Sequence, residues 1–402
     1  MKILMLTPYL PYPPSSGGQV RSYNLIKNLA KDNQITLFSL IKSEEEKKYV
    51  NELEKYCTKV RVFNRPPKPW TLKNVLRTGF SLYPFLVIRN LSEEERSAVA
   101  EELEKEKYDL IHAECFYVMP HIPPTTTPIL LVEQTIEFQV YQHYVRNNRN
   151  IFLKPFFYID VLKIKHWELK FWRKANIVIA VSEADKEKML KLAPGLKVKV
   201  VPNGAGEDLM KVWGKREPEP RPTIFFQANF SWLQNVEAAW HLAKDVFPAV
   251  KKEIKNAHCW IVGQSAKEKI GELSSDDVVV IDLGNVDTRG VIEAYKKATV
   301  FVAPLEGPGG TRLKILGAMA AGVPVVSSKI GIEGIDVKED KEVMVAPSWE
   351  QMAEKTLLLI NDKKLYQKVA ASARKLIEEK YSYEHIAEIL NRIYLEVAGG
   401  KS

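Results

Sequence analysis

The chain has 402 residues, 46% of them hydrophobic, enough for two or three domains with real cores, and it lacks any run of about 18 uninterrupted apolar residues, which argues against a transmembrane helix. The formal net charge of +8 is uneven: residues 1–200 hold 31 Lys+Arg and 22 Asp+Glu, a balance of +9, which leaves 27 and 28, or −1, for the rest. A basic first half suits nucleic acid, anionic lipid or an anionic substrate, and no zinc-finger, RNA-recognition or helix-turn-helix signature supports the first of these.

The opening MKILMLTPYL is too short in apolar residues to be a signal peptide and reads as a buried first strand over 2–7. A Pro/Ser/Gly loop follows, then a helical pattern from about Val20, then a strand at 35–41. Strand, glycine-bearing loop, helix and strand make a βαβ unit and imply a parallel sheet. Further strands are predicted at 60–63, 110–114, 129–134, 177–182 and 197–203, with a helix over 92–107 among those between them. The polar, proline-rich stretch GKREPEPRPT at 214–223 reads as a boundary. Beyond it the alternation resumes, with strands at 223–230, 258–264, 278–284, 300–305 and 324–328 and an amphipathic last helix at about 382–397. The fold class is α/β, as two tandem Rossmann-like domains with ligands expected in a cleft at the carboxyl ends of their strands. Cys57, Cys115 and Cys259 are far apart and odd in number, and read as free thiols in a reducing cytoplasm.

The most informative stretch is VFVAPLEGPGGTRLKILGAMAAGVPVVSSKIGIEG, residues 300–334. A strand runs into the loop Pro308-Gly309-Gly310, and a helix starts near Thr311, which reads as its N-cap. Glycines let backbone approach an anion, and helix N-terminal N–H groups favour negative charge. Arg312 and Lys314 oppose the helix dipole there, which makes sense if an anion binds. The alternative is a plain helix start with two exposed basic residues.

The pattern GGTRLKILxAMAxGxPVV followed by G-x-E-G-I resembles the donor-nucleotide region of retaining glycosyltransferases of family 4, which have the GT-B fold. The opening strand and glycine loop, VIAVSEAD, Val201-Pro202-Asn203-Gly204 and FFQANFSWLQNVEAAWHL extend the resemblance over nearly the whole chain, closest to the bacterial sugar transferases that build surface polysaccharides. The resemblance implies sugar transfer from a nucleotide diphosphate sugar to a glycan or lipid-linked glycan acceptor, with retention and with no cofactor and no metal. It divides the chain into an acceptor-side domain at 1–205, a nucleotide-sugar-binding domain at 206–380 and a C-terminal helix at 381–402 placed to pack back on the first domain. It sets Gly17 and Gly18 at the diphosphate or sugar. Arg312 and Lys314 would grip the diphosphate with the loop Gly309, Gly310 and Thr311. Glu333, with Gly331 and Gly334, would lie near the nucleotide, and Asn229 and Gly263 count among the donor positions.

This chain also departs from the pattern. Many relatives carry two glutamates, one for the sugar and one for ribose, where Gly309 and Gly317 stand here. Glu306 is near but at the wrong offset. A glycine-arginine pair and a lysine of relatives align with Ala228, Asn229 and Gln234, and a histidine beneath the transferred sugar aligns with Gln134. Gln134 can donate a hydrogen bond to a sugar hydroxyl but cannot do acid/base work. The flanking Glu133 and Glu137 read as a base or nucleophile pair, or as one solvated carboxylate and one binding sugar hydroxyls. His112, in DLIHAE at a strand's carboxyl end, suits donor or acceptor contact, with a structural histidine as the alternative.

Two basic, aromatic segments stand apart, at 65–85 and 146–174. They read as an interfacial surface on an anionic membrane, placing a cytoplasmic protein on the inner membrane face, or as ordinary amphipathic helices with their aromatics in the core. Two other functions fit the departures: a catalytically weak GT-B binding or scaffold protein, motivated by Gly317, Gln134, Ala228 and Asn229, and another GT-B enzyme such as a nucleotide-sugar epimerase. An oxidoreductase does not fit, because no GxGxxG follows a strand and GQSAKEK at 263–269 is a poor substitute.

Overall fold

The computed structural model describes residues 1–66, 68, 70–147, 150, 152–284, 288–307 and 312–399. They divide into two compact units. Met1–Pro14, Gly18–Pro202 and the chain from Ala387 onward form the first, and Ser15–Gly17 with Asn203–Ile386 form the second.

The first unit is built on seven strands: β1 (Lys2–Thr7), β2 (Gln34–Ile41), β3 (Lys59–Asn64), β4 (Leu110–Glu114), β5 (Ile129–Glu133), β6 (Ile177–Ala180) and β7 (Val198–Val200). All pair in parallel, in the order β3-β2-β1-β4-β5-β6-β7. Every residue of β4 and β5 is buried, which is why both read as continuous apolar runs in the sequence. The helices that matter below are α1 (Gly17–Leu29), α2 (Leu72–Phe80), α3 (Glu93–Lys105) and α4 (Lys154–Lys174). Ser92 caps α3 by accepting the Glu95 N–H at 3.4 Å, and glutamates fill its first turn. That is the charge a helix N-terminus favours. The strand order reverses at β1 and β4, so the topological switch point lies at their carboxyl ends.

The second unit carries β8 (Thr223–Asn229), β9 (His258–Gln264), β10 (Val278–Asp282), β11 (Val300–Ala303), β12 (Val325–Ser327) and β13 (Met344–Val345), again parallel, in the order β10-β9-β8-β11-β12-β13. Its switch point is at β8 and β11. Helix α5 (Leu233–His241) follows β8, and α6 (Leu313–Ala321) follows the loop after β11. Both sheets have the doubly wound, Rossmann-like topology that strand-helix alternation predicts. The last helix, α7 (Tyr383–Gly399), crosses the division after Ile386. Within the first unit its Asn391 accepts a hydrogen bond from Asn33 at 3.0 Å, and its Tyr394 is fully buried.

The proline-rich stretch at 214–223 is not a free linker. Arg216 donates to the Gly322 carbonyl at 2.7 Å and to the Tyr366 hydroxyl at 2.6 Å, and the N–H groups of Glu217 and Glu219 bond to the carbonyls of Lys296 and Lys297. One half-buried arginine and a pair of backbone bonds strap the segment to the second unit, and the change of unit comes earlier, between Pro202 and Asn203. Among the described residues no helix is long and apolar enough to cross a membrane.

Candidate functional site

In the second unit the candidate residues gather at the switch point. Pro308, Gly309, Gly310 and Thr311 lie outside the described residues. The N-cap of α6 is Arg312, with φ −80° and ψ 88°, not the expected Thr311. Its side chain is 8% exposed, and Nη2 donates to the Gly307 carbonyl at 2.5 Å, so it is no surface cation. Lys314, two residues on, bonds through Nζ to the Asn235 amide oxygen and stands 5.1 Å over the Phe226 ring. Burial first, and then the neighbouring Arg312 charge, hold its ammonium well below the usual lysine range. An amide oxygen and a ring face are neutral partners, so positive charge accumulates at the head of a helix whose dipole opposes it.

Asn229 closes β8. Its amide nitrogen donates to Gln264 Oε1 at 2.7 Å, and its side-chain oxygen accepts the Ser231 N–H at 2.9 Å. Its backbone carbonyl accepts from the Asn235 amide at 2.7 Å, the same Asn235 that holds Lys314. A chain of polar contacts therefore runs from the end of β8 to the first turn of α6. Gly263 has φ +152°, and a Cβ there would fall 1.8 Å from the Ala228 carbonyl oxygen, its neighbour in the β8–β9 register. Strand packing alone demands this glycine. Glu333 is half-buried in the segment after β12, where Ser328 Oγ takes the Gly331 N–H at 3.2 Å and itself bonds the Leu305 carbonyl. At Gly331 a Cβ would lie 2.1 Å from Ser327 Oγ, so that side chain would have to move.

Gly317 lies on the buried side of α6. A Cβ there would sit 2.8 Å from Leu209 Cδ1 and 3.4 Å from the Tyr295 hydroxyl. Leu209 occupies the space that a side chain at this position would need.

In the first unit the strand ends carry a connected set of polar groups that the sequence reading divided differently. His112 is not at the mouth of β4 but in its third position, fully buried, and hydrogen-bonded to Tyr394 of α7 and, at 3.2 Å, to Glu114. It holds the carboxylate that follows it on the same strand face, which corrects its expected contact with substrate. Burial would raise the Glu114 carboxyl. The hydrogen bond and charge of His112, then Arg21 and the Gln134 amide, outweigh burial and hold it below the usual carboxylate range. Gln134 Nε2 donates to Tyr9 Oη at 2.9 Å and to Glu114 Oε2 at 3.0 Å. Both amide hydrogens are spent, so Gln134 cannot donate to a sugar hydroxyl as expected and has only its carbonyl oxygen to offer.

Tyr9 also explains Gly18, where a Cβ would lie 2.4 Å from the phenol oxygen. Gly17, grouped with the second unit, would place a Cβ 3.0 Å from Leu313. Glu114, Tyr9 and Arg21 were not singled out in the sequence. The signal was the i, i+2 pair His112 and Glu114, which a strand puts on one face. Arg21, on α1, donates to the carbonyls of Pro202 and Val201 at 2.7 and 3.1 Å and anchors the segment after β7.

Glu133 is the last residue of β5, and Gln134 lies just beyond it. Glu133 is buried, accepts the Trp172 indole N–H of α4 at 3.0 Å, and has no hydrogen-bond partner on Oε2. Burial, then the Glu168 carboxylate, push its carboxyl far up. Burial also raises Glu137, to about 7. Neither carboxylate is solvated, contrary to the expectation for one of them, and both sit among core groups.

Another buried acid, Glu95, has a consequence for stability. His121 Nδ1 donates to the Val118 carbonyl at 2.9 Å, and Nε2 accepts the Ser92 N–H at 3.0 Å, which fixes a neutral imidazole. Glu95 faces that lone pair at 3.4 Å with neither oxygen hydrogen-bonded, and burial raises it to about 8 while burial lowers His121 to about 4. Between the ordinary value of 4.5 and about 8 the folded protein holds a proton on Glu95 that the unfolded chain has lost, so this contribution to stability falls as pH rises. His121 acts in the other sense, and only between about 4 and 6.5. We expect Glu95→Gln to flatten the decline in urea-unfolding stability between pH 6.5 and 8, with a gain at pH 8 of roughly 2–4 kcal/mol. An unchanged slope would show that Glu95 ionises normally.

The model for glycosyl transferases group 1 matches residues 221–362, and that for glycosyltransferase family 4 matches residues 15–208. The chain is 24% identical over 400 residues to an uncharacterized 44.6 kDa protein in the cps region of Klebsiella pneumoniae, covering 96% of this chain and 97% of that one. The fold is similar to sucrose-phosphate synthase from Thermosynechococcus elongatus, with a TM-score of 0.71 at 16% identity over 100% of both chains. It is also similar to HepE of Anabaena in complex with UDP, with a TM-score of 0.65 at 15% identity over 98% of this chain and 100% of that one.

Proposed function

We propose that this chain, which belongs to the family 4-like glycosyltransferases of the GT-B fold, moves a sugar from a nucleotide diphosphate sugar to an acceptor hydroxyl with retention, in the assembly of a cell-surface glycan. The observation that carries the donor class is the pair of cations at the head of α6. Arg312 is buried at the N-cap, Lys314 is held by neutral groups in the first turn, and the lysine is depressed by burial and by the arginine. A diphosphate relieves that repulsion and gains the helix N-terminus as well. The same groups then stabilise the negative charge that develops on the departing diphosphate, which is electrostatic catalysis at the point where it is needed.

Uridine diphosphate sugars are the first donors to test, because HepE, of similar fold, is held in complexes with UDP and with UDP-glucose. The relative in a cps region supports a glycan product. For retention, the chain offers Gln134 and Glu114 at the strand ends of the first unit, and neither side chain is a free base: the amide hydrogens are committed, and the carboxylate is tied to His112 and Gln134. We assign acceptance of the acceptor's proton to the leaving phosphate. Polar partners at the ends of β8 and β9, Asn229 and Gln264, are assigned to the donor in place of the absent glutamates.

A thermal-shift screen of nucleotide sugars tests the donor class, since a ligand present at about 100 times its Kd adds roughly 2.7 kcal/mol to the folded state. We expect a rise with a nucleoside diphosphate and its sugar but none with the monophosphate. Equal shifts with both would remove the diphosphate from the reading. Product anomeric configuration, read by NMR, tests retention.

A further inference from the structure

Helix α2 is turned inside out. Its apolar residues Leu72, Val75, Leu76 and Phe80 recur at helical spacing, yet all four are exposed, Phe80 at 92%, while the side chain it buries is the amide of Asn74. A helix that packs on a core does the reverse. The start of α4 repeats the pattern, with Phe156, Ile159 and Leu162 exposed and Phe152 just before it 81% exposed, whereas its later turns bury Ile164, Phe171 and Trp172 as an ordinary core helix.

The two stripes belong to one platform within the first unit. Lys163 of α4 donates to the carbonyls of Thr78 and Ser81, at the end of α2, at 2.8 and 2.7 Å, and the Trp167 indole N–H donates to the Leu82 carbonyl at 2.9 Å. Trp70, just before α2, stacks on Phe85 with ring centroids 4.4 Å apart and meets Phe157 of α4 edge-on.

Charge selects what covers this face. Within 65–85 and 139–174 the only acidic residues are Asp160 and Glu168. Both turn inward, Asp160 onto the Phe85 N–H and Glu168 onto the N–H groups of Glu137 and Phe138. What remains outside is basic: Lys68, Lys73 and Arg77 beside the α2 stripe, and Lys165, Lys170 and Arg173 along α4. A second copy meeting this face symmetrically would set lysines and arginines against their own kind.

We propose that this face docks on an anionic lipid bilayer, with the stripes of α2 and early α4 seated at the acyl boundary and the surrounding basic residues on the headgroups. This goes beyond the donor reading and does not depend on it. The test is flotation of the full chain with phosphatidylcholine vesicles with and without phosphatidylglycerol. We expect it to float with the anionic vesicles, and the binding to weaken in high salt. Lys73→Gln with Arg77→Gln lowers the vesicle affinity roughly 25-fold, at about fivefold per charge removed. Leu76→Glu with Phe80→Glu lowers it more than tenfold. All four positions are exposed, so melting temperatures stay put. Absence of flotation, or flotation that survives both double variants, overturns the proposal. So does light scattering that shows a dimer dissolved by Leu76→Glu with Phe80→Glu in a protein that does not bind vesicles.

Discussion

We expect Arg312→Ala to lower turnover by about 10²- to 10³-fold and to leave the fold in place. The size is that expected for removing one preorganised cation from the point where, on the proposed reading, negative charge develops. The specificity follows from how the guanidinium is held: its Nη2 hydrogen bond to the Gly307 carbonyl aims it at the loop that precedes α6, before any donor arrives. Arg312→Lys restores the charge but not the planar fork, and should recover only part of the rate. Lys314 supplies a second and more telling signature. Its ammonium is disfavoured by burial and by Arg312, so Lys314→Met should lower turnover while leaving the unliganded protein as stable as before or more so. A merely structural lysine would behave oppositely, losing stability with its bond to Asn235 and its place over Phe226. Melting curves with and without a nucleoside diphosphate, beside initial rates, separate the two. Wild-type rates in both the Arg312→Ala and Lys314→Met variants would end the diphosphate assignment.

What was legible in the sequence followed burial. Parallel strands covered on both faces leave apolar runs, and β1, β2, β4, β5, β8, β9 and β11 were found that way. The two-residue β13, Met344–Val345, has too little length to carry a period. The loop before α6 was legible because glycines and two misplaced cations break local rules together. Roles within the core were not. Glu133 and Gln134 are adjacent in sequence, yet β5 ends between them and they take different partners, one Trp172 and the other Tyr9 and Glu114. Which face meets solvent depends on what covers the sheet, and a helix nearly 300 residues away supplies Tyr394 to His112. The basic aromatic segments show the same limit in reverse. Spacing revealed the stripe of α2 but not its direction, which depends on Asn74 being the side chain turned in.

Gly263 was placed with the donor site, and its fate separates a binding glycine from a packing one. We expect Gly263→Ala to destabilise the second unit by on the order of 4 kcal/mol, a melting shift of about 10 °C. In the β8–β9 register Gly263 faces Ala228, and a methyl carbon 1.8 Å from that carbonyl oxygen cannot be accommodated by a rotamer change, because the obstacle is backbone. The strands must separate at the end of β8, or φ must leave +152°, and either change disturbs the Asn229 to Gln264 bond one residue further on. Gly271→Ala is the control in the same unit, since its nearest neighbour there, Lys267 Cγ, lies at 3.9 Å and the change should stay within about 0.5 kcal/mol. If Gly263→Ala melts with the wild type and loses only donor affinity, the glycine serves the ligand and the strand contact is not what demands it. If it unfolds the unit while Gly271→Ala does not, its loss of activity says nothing about donor contact, and Gly263 leaves the set of residues proposed for the donor.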